Sequence, residues 1–176
     1  FVMGIEKSYG YLAGTHARDK DAVVASMLIC EMAAYYKSQG KTLIDVMNGL
    51  YDEFGYYCNT VQSYTFEGAA GMEKMAAIMD GLRDNKPSSF AGYEVTKIDD
   101  YKTSKSTIVK TGEKSEITLP KSNVLAYTLT NGNKVIVRPS GTEPKIKAYI
   151  TAIGQSEENA KEIAQRLLND ANELMK

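Results

Sequence analysis

The ten residues Arg138-Pro-Ser-Gly-Thr-Glu-Pro-Lys-Ile-Lys147 bring together a guanidinium, two hydroxyls, a glycine and two ammonium groups, and two prolines stiffen them. A plain turn needs the glycine and one proline. Arg138 adds a planar fork that matches two oxygens of a tetrahedral anion. Ser140 and Thr142 add hydroxyl donors, and Lys145 a point charge. Gly141 permits positive φ and close approach of a ligand. Successive backbone N–H groups of such a bend can form an anion-binding nest. Pro139 and Pro144 reduce the entropy lost when the loop orders. Hydrogen bonds involving a charged group contribute about 1.5–3 kcal/mol each, so three or four suffice to hold a phosphate. Glu143 has the wrong sign for this and has to point away or pair with a lysine. The competing reading of these residues alone is a surface turn with scattered charge. Alternation favours the first: Ile146, Ala148 and Ile150 share one strand face, so Lys145 and Lys147 share the other.

A second stretch with chemistry runs from Gly4 to Asp21. It holds Glu6, Ser8, Arg18, Lys20 and the single histidine, His16. Histidine is the side chain suited to acid–base work near neutrality, which makes His16 a candidate for it, although a polar loop residue is an equal reading. Lys20 stands at a helix start, where a cation opposes the dipole; this favours a functional reason for it. Asp19 and Asp21 are explained as caps. Tyr9 and Tyr11 add aromatic faces to the same stretch.

The elements that position these residues follow from periodicity. Phe1–Ile5 is an apolar run expected to be a buried strand, and Lys7–Arg18 a functional loop. Residues 21–39 are helical, with Val23, Met27, Cys30 and Ala34 on one stripe and Val24, Leu28 and Tyr35 beside it. Gly40 stops that helix. Thr42 and Asp45 form a capping-box-like start for the next, which Gly55 ends. A strand spans about Tyr57–Thr65. Gly71–Arg83 is a helix expected to turn Met72, Met75, Ala76 and Met79 inward, as core and not as a cofactor site. Strands follow at Gly92–Tyr101, Asn123–Leu129, Lys134–Arg138 and Lys145–Ala152, with a ragged hairpin around Thr111-Gly112. Asn131-Gly132 signals a type I′ hairpin turn. Ser156 caps a last helix whose apolar face runs through Ala160, Ile163, Ala164, Leu167, Leu168, Ala171 and Leu174. A boundary near residues 55–60 divides a strand-loop-helix-helix remnant of an α/β domain (1–56) from an α+β domain (57–176), in which helices cover one face of an antiparallel sheet.

Bulk composition narrows the function classes. The 176 residues are 43% hydrophobic and 24% charged, with a net charge of −1. That balance argues against a nucleic-acid binder working through a basic face. A chain this long buries roughly 70% of its unfolded surface and needs no disulfides. Cys30 and Cys58 have no metal-ligand spacing and read as buried, reduced thiols of a cytoplasmic protein. No run approaches the roughly 18 apolar residues of a membrane span, and no secretory signal is visible. The opening Phe1-Val-Met-Gly4 reads as the middle of a strand, which suggests a fragment.

Taken together, the motifs resemble a known family. "RPSGTEPKIKAY" resembles the C-terminal phosphate-binding loop of the α-D-phosphohexomutases, and "GIEKSYGYLAG" their sugar-binding loop. "HARDKDAVVASMLICEMAAYYK" resembles the segment after that loop, and "LPKSNVLAYTL" the strand before the phosphate loop in bacterial-type members. The resemblance runs the length of the chain in the same order. It implies the end of the third of four domains plus the whole fourth, a small α+β domain of TATA-binding-protein-like topology. It also implies isomerase chemistry on glucose phosphates via glucose 1,6-bisphosphate. Phosphomannomutase or dual-specificity activity, and a non-catalytic sugar-phosphate-binding module, are the alternatives. Carried over by position, Glu6 and Ser8 hold sugar hydroxyls. Arg138, Ser140, Gly141, Thr142 and Lys145 hold the non-reacting phosphate. Lys20 serves proton transfer or charge stabilisation, flanked by His16 and Arg18. Lys7 and Ala22 depart from the usual pattern. The family's phosphoserine motif, Thr-Ala-Ser-His-Asn-Pro, and its Mg²⁺-binding Asp-x-Asp-x-Asp are not in this sequence. The resemblance therefore implies a piece that binds hexose phosphate but turns over only with the N-terminal domains of the same chain.

Overall fold

The computed structural model describes residues 2–6, 10–68 and 70–175; the side chain of Glu6 lies outside the described set. Two compact units appear, Phe1–Phe54 and Gly55–Lys176.

In the first unit, strands β1 (Met3–Glu6) and β2 (Gly10–Ala13) form an antiparallel hairpin, followed by helices α1 (Ala22–Ser38) and α2 (Leu43–Phe54). The stretch read as a loop thus contains a strand, because Gly10-Tyr-Leu-Ala13 satisfies its backbone groups against Met3–Glu6. Local chemistry sets the helix ends. Val23 and Val24 N–H donate to Asp21 Oδ1 at 2.9 and 3.2 Å, a side-chain N-cap. Gly40, at φ 73°, closes α1, with Lys41 N–H returning to the Tyr36 carbonyl at 3.0 Å. Thr42 and Asp45 form a reciprocal box: Asp45 N–H donates to Thr42 Oγ1 at 3.1 Å and Thr42 N–H to Asp45 Oδ2 at 2.8 Å. Burial departs from the sequence expectation. Neither α1 nor α2 buries a residue. Strand β1 is exposed, with Ile5 at 71%, and Cys30 is exposed while Cys58 is half-buried. Periodicity shows which side chains share a face, not whether anything packs on that face.

The second unit is an antiparallel sheet with two helices. Strands β3 (Tyr56–Thr65), β4 (Ser89–Phe90), β5 (Tyr93–Asp100), β6 (Lys105–Ile108), β7 (Lys114–Glu116), β8 (Leu125–Leu129), β9 (Lys134–Pro139) and β10 (Lys145–Gly154) combine in the order β3-β10-β9-β8-β5-β6-β7, with β4 beside β5. Helices α3 (Gly71–Asp84) and α4 (Glu157–Leu174) belong to the same unit. This is the expected α+β class. Between β8 and β9, Asn131 and Gly132 both take left-handed φ, 63° and 86°, as a type I′ turn requires.

The core lies on the helix-covered face. Val135, Val137, Ile146, Ala148 and Ile150 from the sheet meet Ile163, Ala164 and Leu167 from α4, all buried. Helix α3 contributes Met75, Met79 and Leu82. Met72, at 45% exposure, and Ala76 face outward. The buried stripe is therefore rotated from the one expected, because i, i+4 and i+7 meet the sheet. Tyr127 is fully buried and donates its hydroxyl to the Leu82 carbonyl at 3.2 Å, tying β8 to the end of α3. Tyr64 donates to Asn172 Oδ1 at 2.6 Å and ties β3 to α4. Gly154 ends β10 where a Cβ would stand 2.4 Å from the Ala160 N–H nitrogen, so only glycine lets α4 approach this closely.

Candidate functional site

The Arg138–Lys147 stretch joins β9 to β10. The register places Lys147 directly opposite Arg138, with Ala148 opposite Val137 and turned to the core. Arg138, Lys145 and Lys147 therefore emerge on the sheet face away from the helices. The bend between the strands is tight. Ser140 N–H donates to the Lys145 carbonyl and Lys145 N–H to the Glu143 carbonyl, both at 2.7 Å. The Thr142 and Glu143 N–H groups converge on Ser140 Oγ at 3.4 and 3.3 Å, a serine turn that mimics a backbone turn.

Two expectations change here. Gly141 is not among the positive-φ glycines, since the Ser140 hydroxyl closes the bend without a left-handed residue. A Cβ at Gly141 would meet nothing within 4 Å, so no neighbouring protein atom requires a glycine here, and the bend is open on that side. The Thr142 and Glu143 amides gather on a side-chain hydroxyl oxygen, while those of Ser140 and Lys145 go to backbone carbonyls.

These groups surround a cavity of about 320 Å³ lined by Arg138, Ser140, Thr142, Lys145, Lys147 and Tyr149, among others. Glu143 resolves its sign conflict by pairing with Lys145 at 3.2 Å. Lys145 is thereby partly neutralised. Arg138 and Lys147 form no ion pair among the described residues. Like charges held directly opposite each other across a strand pair are destabilising, and an oxyanion between them removes that cost. Strand alternation puts Lys147 on the ligand side without marking it as a site residue. The missing signal was its pairing with Arg138, which only the hairpin register supplies.

The second group of candidates belongs to the first unit. His16 Nε2 donates to Asp21 Oδ2 at 2.8 Å, so one carboxylate both caps α1 and holds the imidazole. The His16 hydrogen bond, followed by that of the Val24 N–H, holds the Asp21 carboxyl below its ordinary range. Lys20 Nζ pairs with Asp19 Oδ1 at 2.8 Å, which likewise lowers the Asp19 carboxyl through its side-chain bond to Lys20. Asp19 thus serves Lys20 and not the helix end, unlike the expected cap. Arg18 is exposed. Glu6 pairs with Gly10 through the β1–β2 register; Ser8, with Lys7 and Tyr9, lies outside the described residues. Among the described residues no three His, Cys, Asp or Glu side chains gather as a metal site, and no helix is long and apolar enough to cross a membrane.

Comparison with known proteins gives this geometry its setting. Residues 1–54 match the model of the phosphoglucomutase/phosphomannomutase alpha/beta/alpha domain III. Residues 72–169 match that of the phosphoglucomutase/phosphomannomutase C-terminal domain. The phosphoglucomutase of Staphylococcus epidermidis is 40% identical over 151 residues, 86% of this chain and 28% of that protein. Those of Staphylococcus haemolyticus and Staphylococcus aureus are 37% identical over 169 residues and 41% identical over 150, covering 30% and 27% of their own lengths. The open form of pp63/parafusin, a Paramecium phosphoglucomutase, superimposes with a TM-score of 0.60 at 18% identity, over 96% of this chain and 29% of that one; this likeness is one of fold. The chain spans less than a third of the length of these relatives. With both halves matched in order by successive domains of one enzyme, the chain belongs to the phosphoglucomutase/phosphomannomutase family.

Proposed function

We propose that this chain is the C-terminal part of a phosphoglucomutase that interconverts glucose 1-phosphate and glucose 6-phosphate through glucose 1,6-bisphosphate. The observation that carries the reading is the cavity at the β9–β10 bend, where Arg138 and Lys147 stand opposed with Ser140 and Thr142 at its rim. Such a site reads charge and tetrahedral shape, not sugar identity. That suits a reaction in which either phosphate of a bisphosphorylated sugar must be held while the other reacts. Arg138 grips two oxygens bidentately, the Thr142 and Glu143 amides exchange Ser140 Oγ for phosphate oxygens, and Gly141 lets the anion come close to the backbone.

In this reading Glu6 and Ser8 bind sugar hydroxyls, with Glu6 accepting from two neighbouring ones. Lys20 stabilises charge developing on the reacting hydroxyl oxygen, with His16 and Arg18 flanking it. The chain's own residues do not fit the Mg²⁺ that the family uses. Asp21 is occupied as cap and His16 partner, and Asp19 as partner of Lys20. The metal and the phosphoryl donor are assigned to the N-terminal part of the longer chain, and closure of the domains around substrate excludes water from the transfer.

Calorimetry tests the reading. Arg138→Ala removes a charged bidentate contact of about 1.5–3 kcal/mol, so glucose 1,6-bisphosphate binding weakens about ten- to hundredfold. Equal affinity of the two forms would remove the loop from the proposal.

A further inference from the structure

The β9–β10 bend is anchored through its backbone. Besides the bonds within it, the Phe66 N–H donates to the Pro144 carbonyl at 2.9 Å. A Cβ on Gly71 would stand 2.3 Å from the Phe66 carbonyl oxygen and 3.0 Å from Pro144 Cβ. The bend is thus seated against the residue after β3 and the first residue of α3, and its side chains hang from a fixed frame.

Three donors around the cavity are taken by oxygens of the loop itself. Ser140 Oγ holds the Thr142 and Glu143 amides, and Glu143 Oε2 holds Lys145 Nζ at 3.2 Å. Both acceptors are side-chain oxygens, so they turn away by rotamer changes that leave the backbone bonds of the bend intact. The partners of the ion pair differ in exposure. The Lys145 side chain is 29% exposed and that of Glu143 63%. The ammonium is the more enclosed partner, and the carboxylate is the one with water to turn into. Among the described residues that line the cavity, Glu143 is the only acid, beside Arg138, Lys145 and Lys147.

An acid in an anion site calls for a reason. A phosphate and the Glu143 carboxylate have the same sign and want the same ammonium, so each is repelled while the other holds it. We propose that Glu143 is a built-in competitor of the ligand: it holds Lys145 when the loop is empty and sets how strongly an oxyanion is retained. This rests on the reading of the loop as a phosphate clamp. Under that reading the clamp has to release a bisphosphorylated sugar so that its other phosphate can be held in turn. A carboxylate two residues from Lys145 takes the ammonium back as the phosphate leaves. Glu143 acts through Lys145 and positions it; it does not touch the sugar.

The test is titration of the 176-residue chain and its variants with glucose 1,6-bisphosphate, followed through the amide resonances of residues 138–147. Glu143→Gln keeps the side-chain length and both backbone bonds of residue 143 and removes only the charge, so the bend is retained. An ion pair this exposed is a weak one, and Glu143→Gln is expected to bind about two- to fivefold more tightly than the unaltered chain. With Lys145→Ala in place, Arg138 and Lys147 still hold the ligand, and the same substitution is expected to gain less than about half as much in log affinity. An equal gain with and without Lys145 would make Glu143 a diffuse charge and overturn the proposal. Unchanged or weaker binding by Glu143→Gln, while Arg138→Ala still weakens it, would also overturn the proposal and leave the phosphate clamp standing. If neither Glu143→Gln nor Arg138→Ala alters binding, the clamp and its competitor fall together.

Discussion

Helices α1 and α2 carry well-formed side-chain caps and bury nothing, whereas α3 has no side-chain cap and lies in the core. The contrast separates two sources of helix stability. In the first unit, Asp21, the Thr42–Asp45 box and Gly40 satisfy terminal groups locally. In the second, Met75, Met79 and Leu82 hold α3 against the sheet without that help, and packing is the usual source of most helical stability in proteins. Helix α4 has both: Ser156 Oγ accepts from Asn159 N–H at 3.1 Å, and Ala160, Ile163, Ala164, Leu167 and Ala171 are buried. The exposed apolar stripes of α1 and α2, with Val23 at 81% and Phe54 at 62%, are faces built for packing.

Substitutions can break this contrast. Leu167→Ala, at a fully buried position of α4, is expected to cost about 2–5 kcal/mol in denaturant unfolding of the second unit. Asp21→Ala is expected to raise amide exchange in the first turn of α1 by roughly fivefold, leaving the second unit's midpoint unchanged. Because the folded-state Asp21 carboxyl is depressed, its contribution is present above the ordinary value of 3.8 and is lost as pH falls through the lowered one. Tyr127→Phe removes the bond to the Leu82 carbonyl and is expected to cost about 1 kcal/mol at neutral pH. Burial raises the Tyr127 phenol, so wild-type stability falls as pH climbs above about 10, the unfolded value. The phenylalanine form lacks that loss, and the gap between the two narrows. Met27→Ala, exposed on α1, is expected to stay within about 0.5 kcal/mol. A larger loss there would show that α1 is packed in solution.

Legibility followed the same division. Features written in a few consecutive residues were readable: the Thr42–Asp45 box, the Asn131-Gly132 turn, the Ser156 cap, and the alternation that put Lys145 and Lys147 on one face. Features set by distant partners were not. The α3 stripe omitted Leu82 and included Met72 and Ala76, because the sheet determines which side of a helix is inside. Apolar neighbours alone suggest burial for strand β1 and Cys30, and both are exposed. Gly141 permits positive φ but does not take it, because Ser140 does the closing.

The opposition of Arg138 and Lys147 across paired strands has a practical side. Two cations opposed in register are expected to make the melting temperature of this chain depend on its buffer. On the proposed reading of the loop, phosphate or sulfate is expected to bridge the pair and add stability by mass action, whereas a zwitterionic buffer leaves it unbridged. Thermal stabilities of variants in this region are therefore comparable only when the oxyanion content of the medium is held constant.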